Sequence, residues 1–227
     1  PPTPKASGVA FMNIEQARFN MVEQQIRPWD VLNTTILDLL YTVRREDFVP
    51  SPWRSLAFVD MDLPLEHGEH MLSPKLEARL IQELHLQPTD WVLEVGTGSG
   101  YMAALMSRLA HCVTTIEIHP DLAAAAKQKL SSYKSVTVEV ADAARGWMSE
   151  QLWDAIVITG SLPTVPQAFF DLLAPGGRLI AIVGDAPAMK ATRWVKSMDG
   201  LSTPARVLFE TVVPPLHNAA QPERFTF

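Results

Sequence analysis

Cysteine is almost absent from this sequence: Cys112 is the single one in 227 residues. No internal disulfide is therefore available, which removes the cross-linked secreted class and fits a reducing compartment. Charge is also sparse, at 19% of residues, and Lys plus Arg (19) falls short of Asp plus Glu (25), leaving a formal charge of -6. That balance argues against broad nucleic-acid binding, though not against a local basic site. No apolar run approaches the roughly 18 residues needed to cross a bilayer, so no membrane partner is expected. The opening PPTPKASGVAF carries one Lys and no long apolar stretch, unlike a signal peptide. With 47% hydrophobic residues, what remains is a mildly acidic globular chain, expected in the cytoplasm. The length fits one large domain with a short appendage.

Residues 1–12 hold three prolines and little pattern, and read as a flexible tail before a single domain over 13–227. Within it, 13–75 reads as N-terminal helices and a covering loop, and 76–216 as an αβ core. Ile14, Ala17, Met21, Val22 and Ile26 recur at helical spacing up to Pro28. Asp30 is placed to cap a second helix running to about Arg45. The stretch from Phe58 to Pro74 is a connection long enough to need a role. A helix follows over about Leu76–Leu84. Beyond it, β-rich runs at 91–95, 113–118, 136–140, 155–159 and 178–183 alternate with helical patterns at 101–109, 121–130 and 166–173. Strands separated by single helices predict a parallel sheet covered on both faces. Right-handed crossovers bring the strand C-terminal ends to one edge, where ligands bind. Runs at 192–197 and 206–214 are two further strands that can pair antiparallel at the sheet edge.

The sharpest local feature is Glu94-Val95-Gly96-Thr97-Gly98-Ser99-Gly100, between a strand and a helix. Glycines there permit a tight turn and close approach of a ligand, and the helix N-terminus offers free N–H groups. Glu117, 21 residues after Gly96, ends the next strand, where a carboxylate can accept both hydroxyls of a ribose. Asp142 follows the third strand and suits either an adenine amino group or a cap of backbone N–H groups. A dinucleotide site would carry a third glycine where this chain has Tyr101. Glu94 would also repel a pyrophosphate, whereas it suits the sulfonium and amino group of S-adenosylmethionine. The methyl donor is the better match.

The stretches LEVGTGSGYMAAL, TIEIHPDL, ADAARGW and WDAIVITGSLPTVPQAFFDLLAPGGRLIAIVG resemble the protein-L-isoaspartate O-methyltransferase family. RREDFVP and DMDLPLEHG, upstream, stand in that family's order and spacing, and the likeness covers about Ile14–Leu216. It implies an α/β, Rossmann-like S-adenosylmethionine-dependent methyltransferase with a mostly parallel seven-stranded sheet and an N-terminal helical extension. It implies methyl transfer from S-adenosylmethionine, leaving S-adenosylhomocysteine, to the α-carboxylate of isoaspartyl residues in damaged proteins. The ester then cyclises to a succinimide that reopens partly to aspartate. Carried onto this chain, the resemblance puts Glu94, Gly96, Thr97, Gly98, Ser99, Gly100, Glu117, Ile118, Asp142 and Ala143 at the cofactor. It puts Thr159 and Ser161 near the transferring methyl group, and the loop from Leu65 to Pro74 over the site. Tyr101, Trp147 and Leu162 are expected either as pocket walls or as plain core.

One stretch departs from the family. Where it usually reads G-Q-T-I-S-x-P, this chain has Gly68-Glu69-His70-Met71-Leu72-Ser73-Pro74. The substrate-side serine is thus Leu72, which cannot donate a hydrogen bond, while Ser73 is one residue out of register and compensates only if the loop shifts. Glu69 replaces a neutral amide and disfavours a carboxylate substrate unless paired. His70 is a candidate donor or base on that side, or a solvated loop residue. Two alternatives therefore stand beside isoaspartyl repair: the same fold acting on another acceptor, and binding of the donor without catalysis. No metal site is expected from His67, His70 and His119, because no helix is predicted at His67 and His70 and no Cys or third His joins them, and His85, His111 and His217 read as surface or partly buried side chains. A monomer is favoured.

Overall fold

The computed structural model describes residues 13–221, so the tail proposed over 1–12 and the last six residues lie outside the described residues. Asn13 caps α1 (Ile14–Met21), its Oδ1 accepting the Gln16 N–H at 3.1 Å. The helix widens into a π turn over Val22–Ile26 and tightens into a 3-10 turn over Arg27–Trp29, where Pro28 ends it. The second helix does not start at Asp30. That residue closes the 3-10 turn in the left-handed conformation (φ 60°), and Asn33 caps α2 (Thr34–Thr42) instead, accepting from the Ile36 N–H.

The connection that follows is made of short 3-10 turns and a two-residue ladder, β1 (Leu63–Pro64) against β2 (His70–Met71). Then come α3 (Pro74–Leu84), β3 (Trp91–Val95), α4 (Tyr101–Met106), β4 (Cys112–Glu117), α5 (Pro120–Lys129) and β5 (Val136–Val140). The remaining elements are β6 (Trp153–Leu162), α6 (Gln167–Asp171), β7 (Leu173–Val183), β8 (Met189–Val195) and β9 (Ala205–Thr211) among the described residues.

Seven strands form one sheet in the order β5-β4-β3-β6-β7-β8-β9. The first five are parallel, and β8 and β9 add antiparallel at one edge, as the sequence pattern anticipates. The chain leaves β3 toward one side of the sheet and returns through β6 on the other, so the crevice between β3 and β6 is the topological switch point. Both faces of these strands are buried. Val92 and Val157 join the core under α1–α4, while Leu93, Val95, Ile156 and Ile158 join the core on the opposite face. The run at 155–158 in β6, apolar without polar alternation, follows from that double burial.

Strands β6 and β7 are longer than the sequence pattern suggests. Ile158 pairs with Ala181 but Ser161 with Ile182, so Thr159 and Gly160 bulge from the ladder and the strand resumes to Leu162. The bulge falls at the sheet's ligand-binding edge.

Buried ion pairs hold the irregular N-terminal region on this scaffold. Arg18 reaches Glu46 at 2.5 Å, both side chains almost wholly out of solvent. Arg45 pairs with Glu77 of α3, donates from Nε to the Ala57 carbonyl (2.8 Å), and donates from Nη2 to the Leu72 carbonyl (2.8 Å). The RRED stretch therefore fixes where the covering loop enters α3. Among the described residues, no helix is long and apolar enough to cross a membrane.

Candidate cofactor and active site

The strand-to-helix turn after β3 needs glycine for stated reasons at two positions. Gly96 has φ 98°, and a Cβ there would lie 2.3 Å from Thr159 Oγ1. Gly98 has φ 51° and faces Leu65 of the covering loop. A side chain at either position meets both strain and a neighbour. Thr159, in the β6 bulge, shares its hydroxyl between the carbonyls of Val95 and Gly96, each at 3.0 Å. Its hydroxyl tightens the turn.

A cleft of about 700 Å³ opens beside this turn, lined by Gly96, Gly98, Glu117, Ile118, Asp142, Ala143, Thr159, Gly160, His70 and Leu72, with Pro214–His217 on its far wall. A smaller cavity of about 280 Å³ adjoins it and shares His70, Leu72, Gly96, Gly98 and Thr159. Its other walls include Glu94, Thr97, Ser99 and Glu77. Among the residues singled out from sequence, Ser73, Ser161 and Gly100 do not line either space. Ser73 begins α3, its backbone N–H donating to Asp62 Oδ1 at 2.7 Å. A shifted loop that would bring it into register with the family serine is not what the chain adopts. Ser161 is buried against the C-terminal segment, donating from Oγ to the Val213 carbonyl at 3.2 Å. Gly100 packs toward Leu130 and Ala126 at the start of α4. Of the possible wall residues, Tyr101 is buried against Phe48 and Arg45, and Trp147 and Leu162 belong to the core on the other sheet face.

Glu117 is preoriented by the backbone. Its Oε2 accepts the Gly98 N–H at 2.9 Å and its Oε1 accepts the His119 N–H at 3.1 Å. Each oxygen keeps accepting capacity for a hydroxyl in the cleft. Asp142 accepts from the Ala144 N–H (3.0 Å) and from Asn218 Nδ2 (2.7 Å). It therefore caps a turn, with no helix behind it, and ties the C-terminal segment to the cleft wall.

Glu94 is the anomaly. It is 1% exposed, and neither carboxylate oxygen has a hydrogen-bond partner. Burial pushes its carboxyl up to about 8, against a lowering pull from the nearby Thr115 hydroxyl, which is engaged with Thr97, and with the charges of Glu77 and Glu117 adding to the rise. A buried carboxyl without partners is costly in any resting state and is relieved by a cation placed against it. The donor set therefore fits S-adenosylmethionine: an orphaned carboxylate for its amino group, a glycine cradle that admits close approach, and a second carboxylate for hydroxyls.

On the rim, the structure brings together residues far apart in sequence. Glu69 Oε1 lies 3.2 Å from His119 Nε2 and 2.7 Å from His217 Nε2. The pairing that a carboxylate at position 69 requires is thus present. Sequence reading found Glu69 but missed both partners, since 50 and 148 residues separate them from it and no spacing rule spans such loops.

The chain is similar to known proteins over most of its length. The family described as "Protein-L-isoaspartate(D-aspartate) O-methyltransferase (PCMT)" matches residues 16–217. Protein-L-isoaspartate O-methyltransferase 1 of Syntrophobacter fumaroxidans is 39% identical over 182 residues, 79% of this chain and 85% of that protein. The protein-L-isoaspartate O-methyltransferase of Gloeobacter violaceus is 39% identical over 166 residues, 72% of this chain and 81% of that protein. Among solved structures, a putative protein-L-isoaspartate O-methyltransferase of Plasmodium falciparum, in complex with S-adenosyl-L-homocysteine, superposes with a TM-score of 0.72. It is 20% identical, over 90% of this chain and 98% of that one. That likeness speaks to the fold alone.

Proposed function

This chain belongs to the protein-L-isoaspartate O-methyltransferase family, and from that premise we propose that it transfers a methyl group from S-adenosylmethionine to the α-carboxylate of L-isoaspartyl residues in damaged proteins. The observation that carries the donor assignment is Glu94: a buried, unpartnered carboxyl beside a glycine cradle at the sheet's switch point. Isoaspartyl-containing peptides and proteins are the proposed partners. The proposed setting is the cytoplasm, in keeping with the single, free Cys112.

S-adenosylmethionine supplies, when bound, a methyl group on a positively charged sulfur. The chain's own residues are assigned binding and exclusion of water. Glu94 would hold the amino group, Glu117 the ribose hydroxyls, and Asp142 and Ala143 the adenine side. Gly96, Thr97, Gly98 and Ser99 form the backbone cradle, with Ile118 closing the apolar wall. An acceptor carboxylate is already ionised near neutral pH, so no general base is needed. Rate then derives from alignment of the two reactants and from a dry cleft. Leu72, Met71 and Leu65 contribute the apolar cover, and His70 offers a polar group on the acceptor side.

Methyl transfer from labelled S-adenosylmethionine to a pair of peptides, one with isoaspartate and one with aspartate, tests this reading. Transfer confined to the isoaspartyl peptide is expected. Equal transfer to both, or none while the donor still binds, overturns it.

Leu72 favours a second reading. Its side chain faces both cavities where the family carries a serine hydroxyl, and Ser73 is committed to the start of α3. An acceptor other than isoaspartate, with less need of a hydrogen bond at this point, fits that surface. Methylation of a cell extract after the peptide pair has failed is the result that supports it.

A further inference from the structure

Three segments that are remote in sequence meet at the rim of the cleft, each contributing one side chain able to ligate a metal ion. Glu69 comes from the turn between β1 and β2, His119 from the residue that precedes α5, and His217 from the C-terminal segment. We propose that Glu69, His119 and His217 form a binding site for one divalent cation of the zinc class.

One ligand atom from each residue lies within 4.8 Å of the others. A tetrahedral ion with bonds of about 2.1 Å holds neighbouring ligand atoms about 3.4 Å apart. Here the carboxylate oxygen stands 3.2 Å and 2.7 Å from the two imidazole nitrogens, so the first separation opens by about 0.2 Å and the second by about 0.7 Å to admit the ion, with the two nitrogens already within 4.8 Å of each other. Two imidazoles and one carboxylate suit zinc, cobalt or nickel over calcium or magnesium, which prefer all-oxygen sites. Three protein ligands leave a fourth position open, and two of the three, Glu69 and His217, line the cleft.

The surroundings orient one ligand. His67 stacks flat on the His119 ring, with centroids 4.2 Å apart and planes 7° apart. His67 is itself held by Asp121, whose carboxylate oxygens lie 2.8 and 2.7 Å from its Nε2. That arrangement fixes the plane of His119, the task that second-sphere groups perform at metal sites. His67 need not ligate for this.

The test uses the full chain with neither methyl donor nor acceptor, so its outcome is independent of the substrate assignment. Titration with zinc chloride by calorimetry is expected to give one saturable ion per chain and a rise in unfolding temperature. Cobalt chloride is expected to give visible absorption of four- or five-coordinate cobalt. His119→Ala and His217→Ala should each weaken zinc binding at least tenfold, Glu69→Gln should weaken it as well, and His111→Ala, far from the rim, should leave it unchanged. Absence of one-to-one binding, or binding undiminished in the His119→Ala/His217→Ala double variant, overturns the proposal. Should a variant fold poorly, the imidazole NMR signals of His119 and His217 in the wild-type chain decide. Broadening by cobalt is expected there, and its absence overturns the site.

Discussion

The two walls of the cleft are built by opposite means. The donor wall comes from consecutive parallel strands, a glycine turn and backbone hydrogen bonds, with Gly96, Glu117 and Thr159 all set by the sheet. The acceptor wall comes from 3-10 turns and a two-residue ladder, held by side chains: Arg45 on Glu77 and the Leu72 carbonyl, Glu69 on His119 and His217. A wall made by the ladder tolerates sequence change everywhere except at its turn. A wall made by a few ionic contacts concentrates its sensitivity in those contacts.

Four substitutions sharpen that contrast, taken here from the largest expected effect. Arg45→Met strands the fully buried Glu77 without its partner and frees the entry to α3. Loss of one member of such a pair costs about 3–5 kcal/mol, so denaturant unfolding should reveal a stability loss of that order. Gly96→Ala strikes the donor wall instead. Left-handed strain of about 1–3 kcal/mol, with collision at Thr159 added, should nearly abolish donor binding in calorimetry while the acceptor wall stays folded.

Glu94→Gln is next. Hydrogen bonds to charged groups are worth about 1.5–3 kcal/mol, so donor affinity should fall at least tenfold. In the wild-type chain, a carboxyl at about 8 is mostly protonated at pH 7, and pairing with a cation ionises it. Calorimetry in buffers of differing ionisation enthalpy should therefore detect proton release on donor binding, and Glu94→Gln should lose it. The same group sets a stability slope. Its folded pKa lies above the ordinary value of 4.5, so between about 4.5 and about 8 the folded chain holds a proton that the unfolded chain has lost. Stability from this group is accordingly full below that window and declines as pH rises through it, by on the order of 5 kcal/mol in total. Unfolding of the Gln variant should be flatter across that range. Smallest is Leu72→Ser, which restores a hydroxyl to the acceptor wall. A rise of a few-fold in isoaspartyl kcat/KM is expected, about 1 kcal/mol, with donor affinity unchanged.

Legibility in the sequence follows the same division. Strands β3 and β5 are read from sequence to the residue, and the glycine turn, Glu94, Glu117 and the antiparallel edge are legible because each is a local pattern. The cap of α2 is not legible in the sequence because Asp30 and Asn33 both suit the role, and only the left-handed turn at Asp30 decides. The length of β6 escaped because a bulge at Thr159 and Gly160 looks like a strand end. Ser73 looks available in the sequence, but its position is set by Pro74 at the first turn of α3. The rim cluster was invisible, since contacts between residues 69, 119 and 217 depend on three loop paths at once.

Among the described residues the open sheet has two unpaired edges, β5 and β9, and the same ladder that builds the donor wall could extend through either into another molecule. Both edges are interrupted by charge: Glu139 sits within β5, and Arg206 and Glu210 within β9. Two copies pairing antiparallel along the whole of β5 would set each Glu139 opposite Thr137 and diagonal to the other Glu139 on the same face. Colloidal stability at high concentration is thus written into a few edge side chains. Replacing Glu139 with valine would turn β5 into an uncharged β-branched segment, with precipitation as the consequence.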